Sequence, residues 1–215
     1  FYLKTDKQQL LIQWQIIGAT LAINIFLIGL LFSLNLTFLG IMSFAISLSI
    51  IAPFIDVPSG IKSGTLQYYS PLLIGEKVKK GVLVLHSGSL FDYYFVLNKG
   101  TSRTERKKQV FRAYLQGLLN LIEQYQKIPA DGIKIKATSY IISAKTAEKI
   151  GLRKVKVDFV QRLILYYNYV NLLLTLSFMN KKLSPPKLSK MSSFEGDLAD
   201  LMDKKDYLLA LKNRF

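Results

Sequence analysis

The chain has 215 residues, half of them hydrophobic, with 29 Lys and Arg against 14 Asp and Glu, a formal charge of +15, no cysteine and one histidine, His86. These counts exclude a disulfide framework, thiolate chemistry, cysteine zinc sites and any mechanism needing two imidazoles, and the chain is too apolar for disorder. An apolar average beside a large charge excess points to two parts with different solvent preferences.

Residues 8–55 contain no Asp, Glu, Lys, Arg or His. A bilayer core of about 30 Å takes about 20 helical residues, so this run holds two spans and a tight turn. The spans fall at about residues 10–32 and 36–54, with the turn at Ser33, Leu34 and Asn35. Gly18, Ala19, Ala22, Asn24 and Gly29 on the first are set to pack against Gly40, Ser43, Ala45, Ser47 and Ser49 on the second, since small residues let helices approach closely. Gln13, Trp14 and Gln15 suit an interfacial depth. Pro53, followed by Asp56 and Pro58, is expected to stop the second helix. A pair of buried helices in a soluble protein is the competing reading, but such long uncharged runs are rare there. The chain begins at Phe1 rather than Met, which leaves open a preceding segment.

Residues 1–60 carry Lys4 and Lys7 against Asp6 and Asp56, so the whole positive excess lies beyond residue 60. Positive segments stay on the cytoplasmic side, and a hairpin returns the chain to the side it left. The expectation is a bacterial-type protein of the plasma (inner) membrane with both termini cytoplasmic.

Beyond the hairpin, residues 61–183 read as one basic α/β or α+β domain with a mixed sheet. Strands are expected at 65–69, 81–86, 91–97, 133–142 and 153–158. Ser102 and Glu105 match a capping box, and Val110, Tyr114, Leu118 and Ile122 continue a helical stripe ending near Ile128 and Pro129. Ser143 caps a short helix over 144–150 that Gly151 closes. Residues 159–179 are apolar with three tyrosines, and read as a helix on the bilayer surface or under the hairpin rather than a third span. Residues 184–215 form a linker and an amphipathic tail helix that opens with a capping box at 192–195. Its apolar stripe offers a surface to the domain or to a protein partner. Asp197, Asp200 and Asp203 read as a solvated face, so no metal is expected.

The sharpest cluster is Lys99, Arg103, Arg106, Lys107, Lys108 and Arg112. Cations at a helix start oppose the helix dipole, and a bound anion relieves the conflict. Thr101, Ser102, Arg103, Arg106 and Lys107 are therefore the candidate residues for an anion, either a lipid headgroup or a cofactor phosphate. Membrane lipids are the expected partner, and no nucleic-acid motif is present. His86, Ser87, Ser89 and Asp92 allow a Ser/His/Asp set on paper, but there is no G-x-S-x-G elbow.

Residues 140–155, with Lys149-Ile150-Gly151-Leu152 closing the short helix before the next strand, resemble the late strand–helix–glycine–strand part of the GNAT acyl-CoA N-acyltransferases. The order strand, basic loop, long helix, strand, short helix, strand also resembles that fold. The resemblance implies an acyl-CoA cofactor whose pyrophosphate would lie in the 100–108 loop. That family's loop carries the pattern R/Q-x-x-G-x-G/A, and here only Gly100 is present. The leading expectation is a non-catalytic module at the membrane surface with no cofactor, and the alternative is a membrane-tethered acyltransferase of this kind.

Overall fold

The structure is a computed structural model that describes residues 4–127, 132–139 and 142–214. It opens with two long helices, α1 (Asp6–Ser33) and α2 (Thr37–Lys62), each long and apolar enough to cross a membrane. Thr5 caps α1 with a full capping box to Gln8. Asn35 makes the turn at φ 57, a left-handed conformation that asparagine tolerates. The helices touch through few polar groups. Asn24, 2% exposed, is the buried residue of α1 and accepts a bond from Ser47 Oγ at 3.3 Å. Gly40 is buried against Ile28, whereas Gly18 and Gly29 face open space rather than the second helix.

The expected stop at Pro53 does not occur, because α2 runs through Pro53 and Pro58 to Lys62. Each proline lacks the N–H that pairs with the carbonyl four residues earlier. Pro53 thus deprives the Ser49 carbonyl of its helical donor, and Pro58 does the same to Phe54. Both carbonyls receive a side-chain amide instead. Gln13 Nε2 of α1 donates to Phe54 O at 2.6 Å, and Asn171 Nδ2 donates to Ser49 O at 2.6 Å. The helix continues because other elements supply what the prolines remove.

A six-stranded mixed sheet follows, built from β1 (Leu66–Ser70), β2 (Leu73–Glu76), β3 (Val82–Ser87), β4 (Lys134–Ser139), β5 (Arg153–Val155) and β6 (Ser192–Asp197). The spatial order is β1-β2-β3-β4-β6-β5. β3 and β4 are parallel and the other neighbours antiparallel. Between β3 and β4 the chain forms α3 (Leu90–Val96) and α4 (Arg103–Tyr125), and α5 (Ala144–Lys149) links β4 to β5. α4 lies close over the sheet because residue 117 is glycine; a Cβ there falls 2.7 Å from the Leu73 side chain. Leu115, Leu118, Leu119 and Ile122 of α4 share the core with Leu83, Leu85 and Ile135. Ser143 caps α5, and Gly151 at φ 82 ends it as expected.

Three expectations are corrected. Of the strand expected at 91–97, residues 91–96 are helical, because Ser89 and Asp92 form a full capping box that opens α3. Residues 192–195 lie in β6, which fills the gap between β4 and β5; two strands needing hydrogen bonds outweigh a local capping signal. The expected single tail helix is therefore two short helices after β6, α8 (Leu198–Met202) and α9 (Lys205–Lys212). Leu198, Leu201 and Leu208 are buried in the core, so this stripe docks on its own domain. Strand β2 had no counterpart in the sequence reading. The expected end of α4 at Ile128 and Pro129 lies outside the described residues, as do Tyr140 and Ile141.

Residues 159–179 form two helices broken at Asn168, α6 (Phe159–Tyr167) and α7 (Tyr169–Asn180). At 1.5 Å per residue they reach about 13 and 18 Å, too short for a span of about 30 Å. They pack under the hairpin, with Ser49 Oγ donating to Tyr167 O at 2.8 Å. On α6, Phe159, Val160, Leu163, Ile164, Tyr166 and Tyr167 stay exposed.

Gln13→Leu removes the donor to Phe54 O and is expected to cost about 1 kcal/mol. In a Pro58→Ala background the new N–H at 58 takes that carbonyl, so the loss should largely vanish. Thermal unfolding of the four chains in detergent checks this, and equal losses in both backgrounds would contradict it.

Candidate functional site

The start of α4 is built on a tight cap. Ser102 Oγ accepts from Glu105 N at 3.2 Å, one half of the expected box. Thr101 Oγ1 donates to Asn98 O at 2.8 Å, and its own carbonyl accepts from Lys181 Nζ at 3.3 Å. Arg103 Nε donates to Asn180 Oδ1 at 3.0 Å. Arg106 differs in kind from its neighbours. It is 4% exposed, donates to Phe178 O at 2.5 Å and Lys99 O at 2.8 Å, and lies over the Phe178 ring. It fastens α4 to the end of α7. Lys107 and Arg112 are exposed, and Lys99 is exposed with its ammonium over the Tyr94 ring. Among the described residues none of these cations meets a carboxylate. The sequence cluster thus divides into one buried tie, Arg106, and the exposed cations Lys99, Arg103, Lys107 and Arg112; Arg103 and Lys107 share a side of α4, and Arg112 lies on the opposite side.

A separate cavity of about 530 Å³ lies where the carboxyl ends of β3 and β4 meet α2, α6 and α7. The carboxyl ends of parallel strands are a favoured place for ligands. Ser87, Ser89, Lys136 and Thr138 line it from the sheet side, Pro53 and Val57 from α2, and Leu165, Asn171 and Leu172 from α6 and α7. None of residues 99–107 lines it. From Arg103 to Tyr114, which does line it, is about 16 Å along α4. The sequence reading missed Asn171 and this cavity. The signal was present: an asparagine inside an apolar helix, and two prolines that leave carbonyls in need of donors.

The paper triad is not assembled. His86 Nε2 lies 2.8 Å from Glu76 Oε1 and pairs across β2 and β3. Asp92 is fully buried and accepts from Ser89 N, Ser89 Oγ and Tyr68 OH, at 2.7, 2.8 and 2.9 Å. Burial, then the Asp92 charge and hydrogen bond, hold the Tyr68 phenol well above its ordinary 10.0. Burial, with Tyr125 beside it, does the same to Tyr69.

No protein-family model, no curated protein and no solved structure matches this chain.

Two expectations follow. Arg106→Ala is expected to cost about 2–4 kcal/mol, because it strips two carbonyls of a charged donor, while Lys107→Ala stays within about 0.5 kcal/mol. Denaturant unfolding compares them, and similar effects would contradict the division of roles. The raised Tyr68 and Tyr69 pKa values favour the neutral, folded form. Their contribution is complete below pH 10 and is lost as the pH rises above it. Tyr68→Phe should flatten this alkaline loss of stability; an unchanged profile would count against the Tyr68–Asp92 contact.

Proposed function

We propose that the protein is anchored in a bacterial inner membrane by the α1–α2 hairpin, with both termini cytoplasmic. Its basic domain then acts as a non-catalytic binding module on the anionic leaflet. The observation that carries this is the exposed apolar surface of the two helices. Phe26 and Phe38 are 70% and 71% exposed, and Leu21, Ile23, Ile25, Ile41 and Phe44 are exposed beside them. Apolar surface of this extent is unfavourable in water by about 25 cal/mol per Å² and marks contact with another apolar phase. The positive excess of the remaining chain supports the cytoplasmic placement. Each exposed Lys or Arg near an anionic surface contributes about 1 kcal/mol, so Lys99, Arg103 and Lys107 together favour that placement.

The cavity at the carboxyl ends of β3 and β4 favours a second reading, the membrane-tethered acyl-CoA N-acyltransferase. Its cofactor phosphates would lie on the 99–112 segment and its acyl group would point into the cavity. The separation of about 16 Å along α4 would then be bridged by the cofactor itself.

One experiment separates the readings. The full chain is placed in nanodiscs with and without phosphatidylglycerol, and amide exchange is followed at residues 99–112. The surface module predicts protection only with the anionic lipid, lost in 0.5 M salt. Acetyl-CoA should leave the melting temperature unchanged. A stabilisation by acetyl-CoA that disappears in Arg103→Ala with Lys107→Ala would instead establish the acyltransferase reading.

A further inference from the structure

We infer that α6 is a third lipid contact, a short helix that lies in the cytoplasmic leaflet beside the hairpin without crossing it. The inference rests on the hairpin placement proposed above and adds an apolar surface to the attraction of the exposed cations. At about 100° per residue, Phe159, Val160, Leu163, Ile164, Tyr166 and Tyr167 fall within an arc of about 160°, and all six are exposed. Leu165, the buried residue of α6, lies opposite the middle of that arc. Asp158, Gln161, Leu165 and Asn168 line the cavity. α6 is thus two-sided, with one side built into the protein and an apolar side left uncovered.

The depth of α6 follows from its carboxyl end. Ser49 Oγ donates to Tyr167 O at 2.8 Å. Ser49 lies six residues before Ile55, the last of the uncharged run, which is about 9 Å along α2. Helices that lie in a membrane interface bury their apolar face about 5–10 Å deep, so the two depths agree. The amino end of α6 follows Lys156 and Asp158, both exposed, which belong at the headgroups. Arg162 flanks the arc, and its long stem lets the guanidinium reach the same layer. Tyr166 and Tyr167 suit such a boundary, since each joins an apolar ring to a polar tip. A protein is the poorer occupant of this side. A stable protein interface engages about 20–30 residues a side, far more than this arc offers. The arc also adjoins, through Ser49, the exposed apolar surface of the hairpin.

The chain has no cysteine of its own, so a single nitroxide label reports one site in the full chain. Val160→Cys, Leu163→Cys and Tyr167→Cys are labelled and reconstituted in vesicles of phosphatidylcholine and phosphatidylglycerol. Ile25→Cys serves as the hairpin reference and Lys154→Cys as the aqueous one. All five side chains are exposed, so the substitutions spare the core. Relaxation of each label by oxygen, which concentrates in lipid, is compared with relaxation by a water-soluble nickel chelate. The oxygen-to-nickel ratio at positions 160, 163 and 167 is expected to be at least threefold above that at position 154. Ratios no higher than at position 154, with position 25 still in lipid, would overturn the inference and leave the hairpin placement standing. Spin–spin broadening at position 163 that persists in excess lipid, with little access to either agent, would place a second copy on this side and overturn it too. Access of the nickel chelate to position 25 would overturn the hairpin placement as well.

Discussion

The architecture depends on two carbonyls that a helix cannot satisfy by itself. Pro53 and Pro58 each remove one backbone donor from α2, four residues from Ser49 and Phe54. In an apolar setting such a carbonyl has no water to turn to, so another element must reach it. α1 reaches one through Gln13 and α7 reaches the other through Asn171. The first bond closes the hairpin near its open end. The second fastens the hairpin to the helices that are inserted between β5 and β6, and through them to the sheet. The prolines thus mark where α2 is joined to the rest of the molecule.

The same junction shapes the two candidate sites. α6 and α7 are held under α2 by Ser49, Tyr167 and Asn171. That placement leaves a cavity between them and the carboxyl ends of the parallel pair β3 and β4. The far end of α7 receives Arg106 on the Phe178 carbonyl, which places the start of α4 and its exposed cations beside Asn180 and Lys181. One buried arginine therefore has a positioning duty, while Lys99, Arg103, Lys107 and Arg112 are exposed. The division follows from burial and could not be read from charge alone.

Much of the fold was legible because it is local. The uncharged run gave two long helices and their turn at Asn35, and Ser102 and Ser143 marked the starts of α4 and α5. The errors lie where distant partners decide. A proline usually ends a helix, but Gln13 and Asn171 supplied the missing donors from elsewhere. Ser192 to Glu195 looked like a helix start, yet β4 and β5 both required a neighbour there. Residues 91–97 are apolar enough for a strand, and the Ser89–Asp92 box that makes residues 91–96 helical was present in the sequence. The cavity was invisible because its walls come from α2, β3, β4, α6 and α7, which only the tertiary fold brings together. Past residue 97 the expected succession of long helix, strand, short helix and strand is observed as α4, β4, α5 and β5, whereas the strand expected before the basic loop is the helix α3.

The most direct test of this account is a dipolar-recoupling distance in lipid bilayers between the carbonyl carbon of Ser49 and the side-chain nitrogen of Asn171. The junction requires hydrogen-bond contact, so the two nuclei should lie within about 4 Å. An absence of measurable coupling would mean that α7 does not cap α2, and the joint on which both sites depend would be wrong.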